Sequence, residues 1–237
     1  LIGPGVSEDC KQNVKIVEAH GFNVGAVSAA PMNGSGLHSH TTAEVFIIHS
    51  GPWRFYWGIN GEEGEVILNT GDVASFPTNM FRGFQNVGDK EALMFVVLGK
   101  DDPGVITWTP KLLKEANESG MLLMEDNSLV DLTKQNVPEG KFVTRPLEDK
   151  DLKNFDHYTS QEIENFVIRY KDNKNYVDDE HYNSNSIINY LDLFEIHGKK
   201  IEPKISHKTG FGLTLLKGVS AHIHSYSVDS SEFYNCL

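Results

Sequence analysis

The feature that most constrains this chain is the run Gly36-Leu37-His38-Ser39-His40-Thr41-Thr42-Ala43-Glu44-Val45-Phe46-Ile47-Ile48-His49-Ser50-Gly51. On an extended strand residues two apart share a face, so His38 and His40 can turn both imidazoles toward one ion. Glu44 joins them if the chain stays extended or turns at the Thr41-Thr42 pair, and Phe46 and Ile48 then continue the inner face. Two neutral imidazoles and one carboxylate compose the facial triad that holds non-haem Fe(II), and the same set suits Mn, Ni, Co or Zn. The competing reading is a plain surface pair of histidines with an unrelated glutamate nearby. His49 has the other parity and is expected to face outward.

The surrounding pattern is that of short β-strands between turns. Residues 14–27 alternate loosely between apolar and polar, interrupted by Gly21 and Gly25, and read as one or two strands. Residues 53–57 form an aromatic strand with Trp53, Phe55 and Trp57 on one face and Tyr56 on the other. Asn60-Gly61 signals a hairpin, with residues 65–68 as the returning strand. Gly71-Asp72 opens a short strand that Pro77 stops. The next strand carries Arg82, Phe84 and Asn86 on one face, and residues 92–98 are a continuous apolar strand. Many short strands at close spacing predict a small barrel or sandwich.

Charge and cysteine content exclude several function classes. Lys and Arg number 21 against 33 Asp and Glu, a net charge of −12 that repels nucleic acid and anionic membrane surfaces. Cys10 and Cys236 lie near opposite ends with no Cys-x-x-Cys spacing, which argues against a disulfide framework or a cysteine zinc site. No apolar run has transmembrane length and no N-terminal stretch has signal-peptide character, so a cytoplasmic protein is expected.

Two stretches taken together resemble the paired motifs of the cupin superfamily. The first family pattern, Gly-x5-His-x-His-x3-4-Glu-x6-Gly, is met by His38, His40, Glu44 and Gly51, with its opening glycine displaced to Gly34 or Gly36. The second, Gly-x5-Pro-x-Gly-x2-His-x3-Asn, is met by Gly71, Pro77 and Asn86. Asn79 stands at its second glycine position, and Arg82 stands where the family usually has its last histidine ligand. The resemblance implies an all-β, jelly-roll barrel of the double-stranded β-helix type over residues 1–100. It implies a divalent metal at His38, His40 and Glu44, with Fe(II) favoured and Mn, Ni or Zn as alternatives. It also implies dimerisation through barrel edges.

The departure at Arg82 leaves two readings open. Arginine is permanently protonated and cannot donate a lone pair to a metal. In one reading the three remaining ligands hold the ion with open positions, and Arg82 forks onto an anionic group of a substrate. In the other the cation degrades metal affinity, Arg82 pairs with Glu44, and the barrel is a small-molecule-binding module with a weak or empty site. Tyr56, Trp57, Phe84 and Arg82, with Trp53 and Phe81, are candidates for the lining of a substrate pocket, or simply for the core.

Asp101-Asp102-Pro103-Gly104 marks a boundary, and residues 101–145 read as an interdomain connection. Thr109 as N-cap and Pro110 at the first position predict a helix that Gly120 closes. Thr159-x-x-Glu162 is a capping-box pattern before a second short helix. Residues 171–189 are rich in Asn, Asp, Tyr and Ser and read as a long loop. Residues 146–237 then echo the first barrel: Gly210-Phe211 repeats Gly21-Phe22, and His222, His224 and Glu232 repeat His38, His40 and Glu44. This is expected to be a second cupin-like region, incomplete or degenerate, because the sequence given stops at Leu237 before a second Gly-Asp-Pro motif.

The expected function is that of a metal-dependent, dioxygenase-like enzyme acting on a small anionic substrate, with aromatic acids as the leading class. Related metal cupins that isomerise sugars share the same ligands, and the non-catalytic binding module is the alternative class.

Overall fold

Turn residues divide the chain into strands too short to stand alone, and each must find partners across the structure. Gly51 (φ +76°) and Gly71 (φ +87°) make the turns before the aromatic strand and before the short strand at Val73–Ala74. A side chain at Gly51 would meet the Ala92 methyl at 2.5 Å, so both conformation and space demand glycine there. The computed structural model describes residues 2–5, 14–104 and 106–173, and beyond these the backbone of five short strands.

The strands are β1 (Phe22–Ala29), β2 (Gly34–Ser39), β3 (Glu44–Ile48), β4 (Trp53–Trp57), β5 (Gly64–Leu68), β6 (Val73–Ala74), β7 (Arg82–Asn86), β8 (Ala92–Gly99) and β9 (Thr107–Trp108). They are followed by α1 (Pro110–Glu118), β10 (Met121–Leu123), β11 (Leu129–Asp131), α2 (Asp149–Leu152), α3 (Ser160–Glu164) and β12 (Val167–Ile168). Two antiparallel five-stranded sheets result, in the orders β1-β8-β3-β6-β12 and β5-β4-β7-β2-β9. This is the all-β jelly roll expected from the sequence.

Alternation along the strands sends one face of each sheet into a shared core. Phe46 and Ile48 from β3, Trp53, Phe55 and Trp57 from β4, and Phe76, Met80, Phe84 and Met94 are all buried together. Phe55 stacks on Phe76 with centroids 4.9 Å apart and meets Phe46 edge-on at 4.8 Å. Phe55→Ala is accordingly expected to lower unfolding free energy by about 3–5 kcal/mol. Urea unfolding would read this as a lower midpoint at an unchanged slope. A loss below about 1 kcal/mol would show that the aromatic cluster is not the core.

Several details depart from the sequence reading. The first strand starts only at Phe22, because Gly21 adopts φ +76° and breaks the extended run; residues 14–21 form no strand beyond a single bridge at Ile16. The hairpin around Asn60-Gly61 is a six-residue loop, since Trp57 pairs with Gly64. The sheets also draw on residues past 100, the expected end of the barrel: β9 adds to β2 and β12 adds to β6. β2 carries a register shift against β7. Ser35 faces Phe84 but His38 faces Arg82, so three steps on one strand match two on the other.

The segment after the barrel follows its predicted caps. Thr109 accepts from the Leu112 amide at the start of α1, and Gly120 (φ +84°) follows its end. The Thr159/Glu162 capping box at α3 forms in both directions. Met121 to Leu123 pairs with β11 in a hairpin. Further on lie β13 (Ile187–Asn189), β14 (Phe194–Ile196), β15 (Lys199–Ile201), β16 (Phe211–Leu216) and β17 (Ser220–Ser225), paired as β13-β16-β17 and β14-β15. Among the described residues no helix is long and apolar enough to cross a membrane.

Candidate functional site

The site forms where the chain passes from one sheet to the other. His38 lies one residue before the end of β2 in the β5-β4-β7-β2-β9 sheet, the chain turns at Thr41-Thr42, and Glu44 opens β3 in the other sheet. The Thr42 hydroxyl donates to the Pro103 carbonyl and holds this crossover. The turn at the threonine pair, one of the two geometries expected from the sequence, therefore brings Glu44 to the histidines. His38, His40 and Glu44 are all buried, and their ligand atoms lie within 4.8 Å of one another.

Backbone carbonyls set the tautomers of both rings. His38 Nδ1 is 2.8 Å from the Gly36 carbonyl, and His40 Nδ1 is 2.9 Å from the Thr42 carbonyl. A carbonyl can only accept, so each Nδ1 carries the hydrogen and each Nε2 offers its lone pair. This is the second contact that metal-binding histidines characteristically make. Ser35 Oγ, 3.2 Å from His38 Nδ1, adds to the same anchor. Burial, followed by the nearby Arg82 charge, lowers His38 to about 4 and keeps it neutral.

Arg82 occupies the middle of the cluster. Fully buried, it donates from Nη2 to Glu44 Oε2 at 2.7 Å and also to His40 Nε2. Its Nη1 reaches the Met80 carbonyl at 3.4 Å, and its Nε has no hydrogen-bond partner. His40 Nε2 and Glu44 Oε2 lie 3.1 Å apart. Two acceptors so close repel unless a cation joins them; the guanidinium does so here, and a metal ion is the other kind of cation that could. Burial alone would raise the Glu44 carboxyl, but the neighbouring His40 ring and the Arg82 guanidinium reverse this and hold it well below the usual carboxylate range. The donor set thus fits a divalent metal in number, tautomer and charge, provided Arg82 leaves it.

Cross-strand register explains why these residues meet. Trp108, His38, Arg82, Trp57 and Gly64 lie directly opposite one another in turn across β9, β2, β7, β4 and β5. The extra residue in β2 determines that His38 stands in this row. Gly64, on the edge strand β5, ends the row, and a side chain there would run into the Trp57 ring at 2.4 Å.

The other candidates divide by face. Phe84 stands edge-on to His38 with centroids 6.4 Å apart, and Trp57 is buried with Nε1 donating to the Tyr158 carbonyl at 2.7 Å. Tyr56 points the opposite way, beneath the Arg54 guanidinium at 4.9 Å, so β-strand alternation separates it from Trp57 and from the cluster. Phe81 is buried against Phe155, Trp53 belongs to the core, and His49 is exposed beside Phe95. His222 and His224 lie on β17 opposite Thr214 and Gly212, while their side chains and Glu232 lie outside the described residues.

Sequence reasoning did not find Trp108, whose ring centroid is 5.3 Å from that of His38. It sits in a stretch that reads as connection. The available signal was its rarity as one of three tryptophans, placed just before a helix cap.

Residues 26–98 match the family model of the cupin domain. No curated protein sequence matches the chain. Among solved structures, oxalate oxidase is 23% identical, with 39% of this chain and 48% of that one covered at a TM-score of 0.35. The DMSP lyase DddQ from Ruegeria pomeroyi DSS-3 is 17% identical, covering 38% and 43% at 0.33. TT1209 from Thermus thermophilus is 22% identical, covering 33% and 72% at 0.30. The chain spans about half the length of the oxalate oxidase chains it matches.

Proposed function

With residues 26–98 identified as a cupin domain, we propose that this chain is a metal-dependent, non-haem dioxygenase-like enzyme acting on a small anionic substrate. The observation that carries the metal is the anchoring of both Nδ1 hydrogens on backbone carbonyls, which leaves two Nε2 lone pairs beside the Glu44 carboxylate. His38, His40 and Glu44 would hold the ion. A bound divalent metal supplies Lewis acidity and, as Fe(II), the capacity to use oxygen.

The chain's own residues supply the rest. Arg82 is the one permanent cation in contact with Glu44 and His40 among the described residues, and it binds the anionic end of the substrate. Phe84 and Trp57 form the apolar wall on either side of Arg82 and keep water from the reacting group. The carbonyls of Gly36 and Thr42 hold the imidazoles in place while the substrate enters.

A second reading draws on a different observation. Arg82 Nη2 already joins Glu44 and His40, as a resident cation would in a non-catalytic small-molecule-binding cupin. Metal analysis of the purified, untagged chain beside His38→Ala separates the two. About one equivalent of Fe, Mn, Ni or Zn, lost in the variant, is expected. Oxygen uptake with aromatic and aliphatic acids then identifies an oxygenase against an isomerase. Absence of metal from the wild type, even after anaerobic reconstitution, would decide for the binding module.

A further inference from the structure

Charge bookkeeping at the site leads to a ligand requirement. As the cluster stands, the Arg82 guanidinium and the Glu44 carboxylate cancel, and the pair is buried. A divalent ion on Glu44 and His40 must take the two acceptors that Arg82 Nη2 now holds. Arginine cannot shed its proton, so the displaced guanidinium stays charged and buried beside a second cation. Its Nε already lacks an acceptor before any displacement. Metal binding alone thus leaves the Nε/Nη2 edge of Arg82 empty and an excess of positive charge in a desolvated place.

Resting on the metal-binding reading above, we infer that Arg82 couples the two ligands of this barrel: the metal binds well only together with a small carboxylate seated on the Nε/Nη2 edge of Arg82. A planar carboxylate has two oxygens at the spacing of that edge and the charge that the site then lacks. It satisfies the orphaned Nε–H and replaces Glu44 as the acceptor for Nη2. The loaded cluster carries +2, from the metal at +2 and Arg82 at +1 against Glu44 at −1, and a carboxylate on the single planar fork offsets one of these charges. The coupling is reciprocal, so the carboxylate binds the metal-loaded chain more tightly by the same factor that it strengthens the metal. In the absence of a carboxylate the guanidinium keeps other cations out of the donor set.

The test measures Mn(II) binding by equilibrium dialysis in sodium acetate and in sodium chloride at equal ionic strength, for the wild type and Arg82→Met. The wild type is expected to bind Mn(II) about 10-fold or more tightly in acetate. Arg82→Met is expected to bind Mn(II) tightly in chloride and to lose the acetate effect. An equal affinity in both media for a wild type that binds one Mn(II) overturns the coupling and leaves the metal site standing. An acetate effect retained in Arg82→Met places the carboxylate on the metal alone and also overturns it. Failure of both proteins to bind in either medium removes the metal-binding reading and the coupling with it. If Arg82→Met does not fold, the wild type still decides: acetate titrated calorimetrically into the Mn(II)-loaded and metal-free chain must show the same factor, and no difference between them overturns the proposal.

Discussion

Glu44→Ala is expected to destabilise the barrel by about 3–5 kcal/mol, more than any substitution of its partner. The reason is an asymmetry between the two buried charges. Removing Glu44 leaves the fully buried Arg82 without its only carboxylate among the contacts described, and the guanidinium cannot neutralise itself. Removing Arg82 leaves a carboxyl, which can take up a proton and bury as a neutral acid. Arg82→Met should therefore cost less, and the double variant Glu44→Leu/Arg82→Met should recover most of the loss, since an apolar pair of similar volume suits the surrounding core. A thermodynamic cycle by urea unfolding reads all three. Equal, small losses in both single variants would show that the ion pair does not exist in solution.

The second large effect concerns metal affinity. Arg82→His removes the competing cation and puts an imidazole opposite His38 and beside Trp57, where the family pattern has its last histidine ligand. Metal affinity, read by competition with a chromophoric chelator, should rise roughly 100-fold or more. The same change removes the anchor for an anionic group, so carboxylate ligands should weaken in parallel. Rising metal affinity with unchanged carboxylate binding would take the anion site away from Arg82. Unchanged metal affinity would mean that the guanidinium does not compete for the donor set.

The candidate ligands were legible in the sequence because chemistry and spacing act locally there. His-x-His with a glutamate four residues on is a pattern that two half-strands and one turn can satisfy, and the Thr41-Thr42 crossover does so. The caps of α1 and α3 were legible for the same reason, since Thr109 and Thr159 bond within three residues of themselves. What the sequence concealed depends on pairing at long range. That Tyr56 and Trp57 face opposite ways was legible from strand alternation, but which of the two faces lines the site was not. The register shift between β2 and β7 is set by backbone pairing across about half the barrel, and no residue type announces it. Trp108 comes to His38 only because β9 returns to the edge of a sheet built earlier in the chain. That Arg82 pairs with Glu44 was weighed from the sequence, but its bond to His40 and its orphaned Nε follow from packing alone.

The two late strands also fix how this chain can be dissected. β9 forms the outer flank of His38, and β12 closes the far edge of the sheet that contains Glu44. A fragment cut at Lys100 would keep every candidate ligand yet open two sheet edges, one of them beside the buried histidine. Unpaired edges invite pairing between copies. The smallest portable version of the site therefore extends to Ile168, and the stretch between its ends, which reads as a linker, is part of what a transplanted barrel must carry.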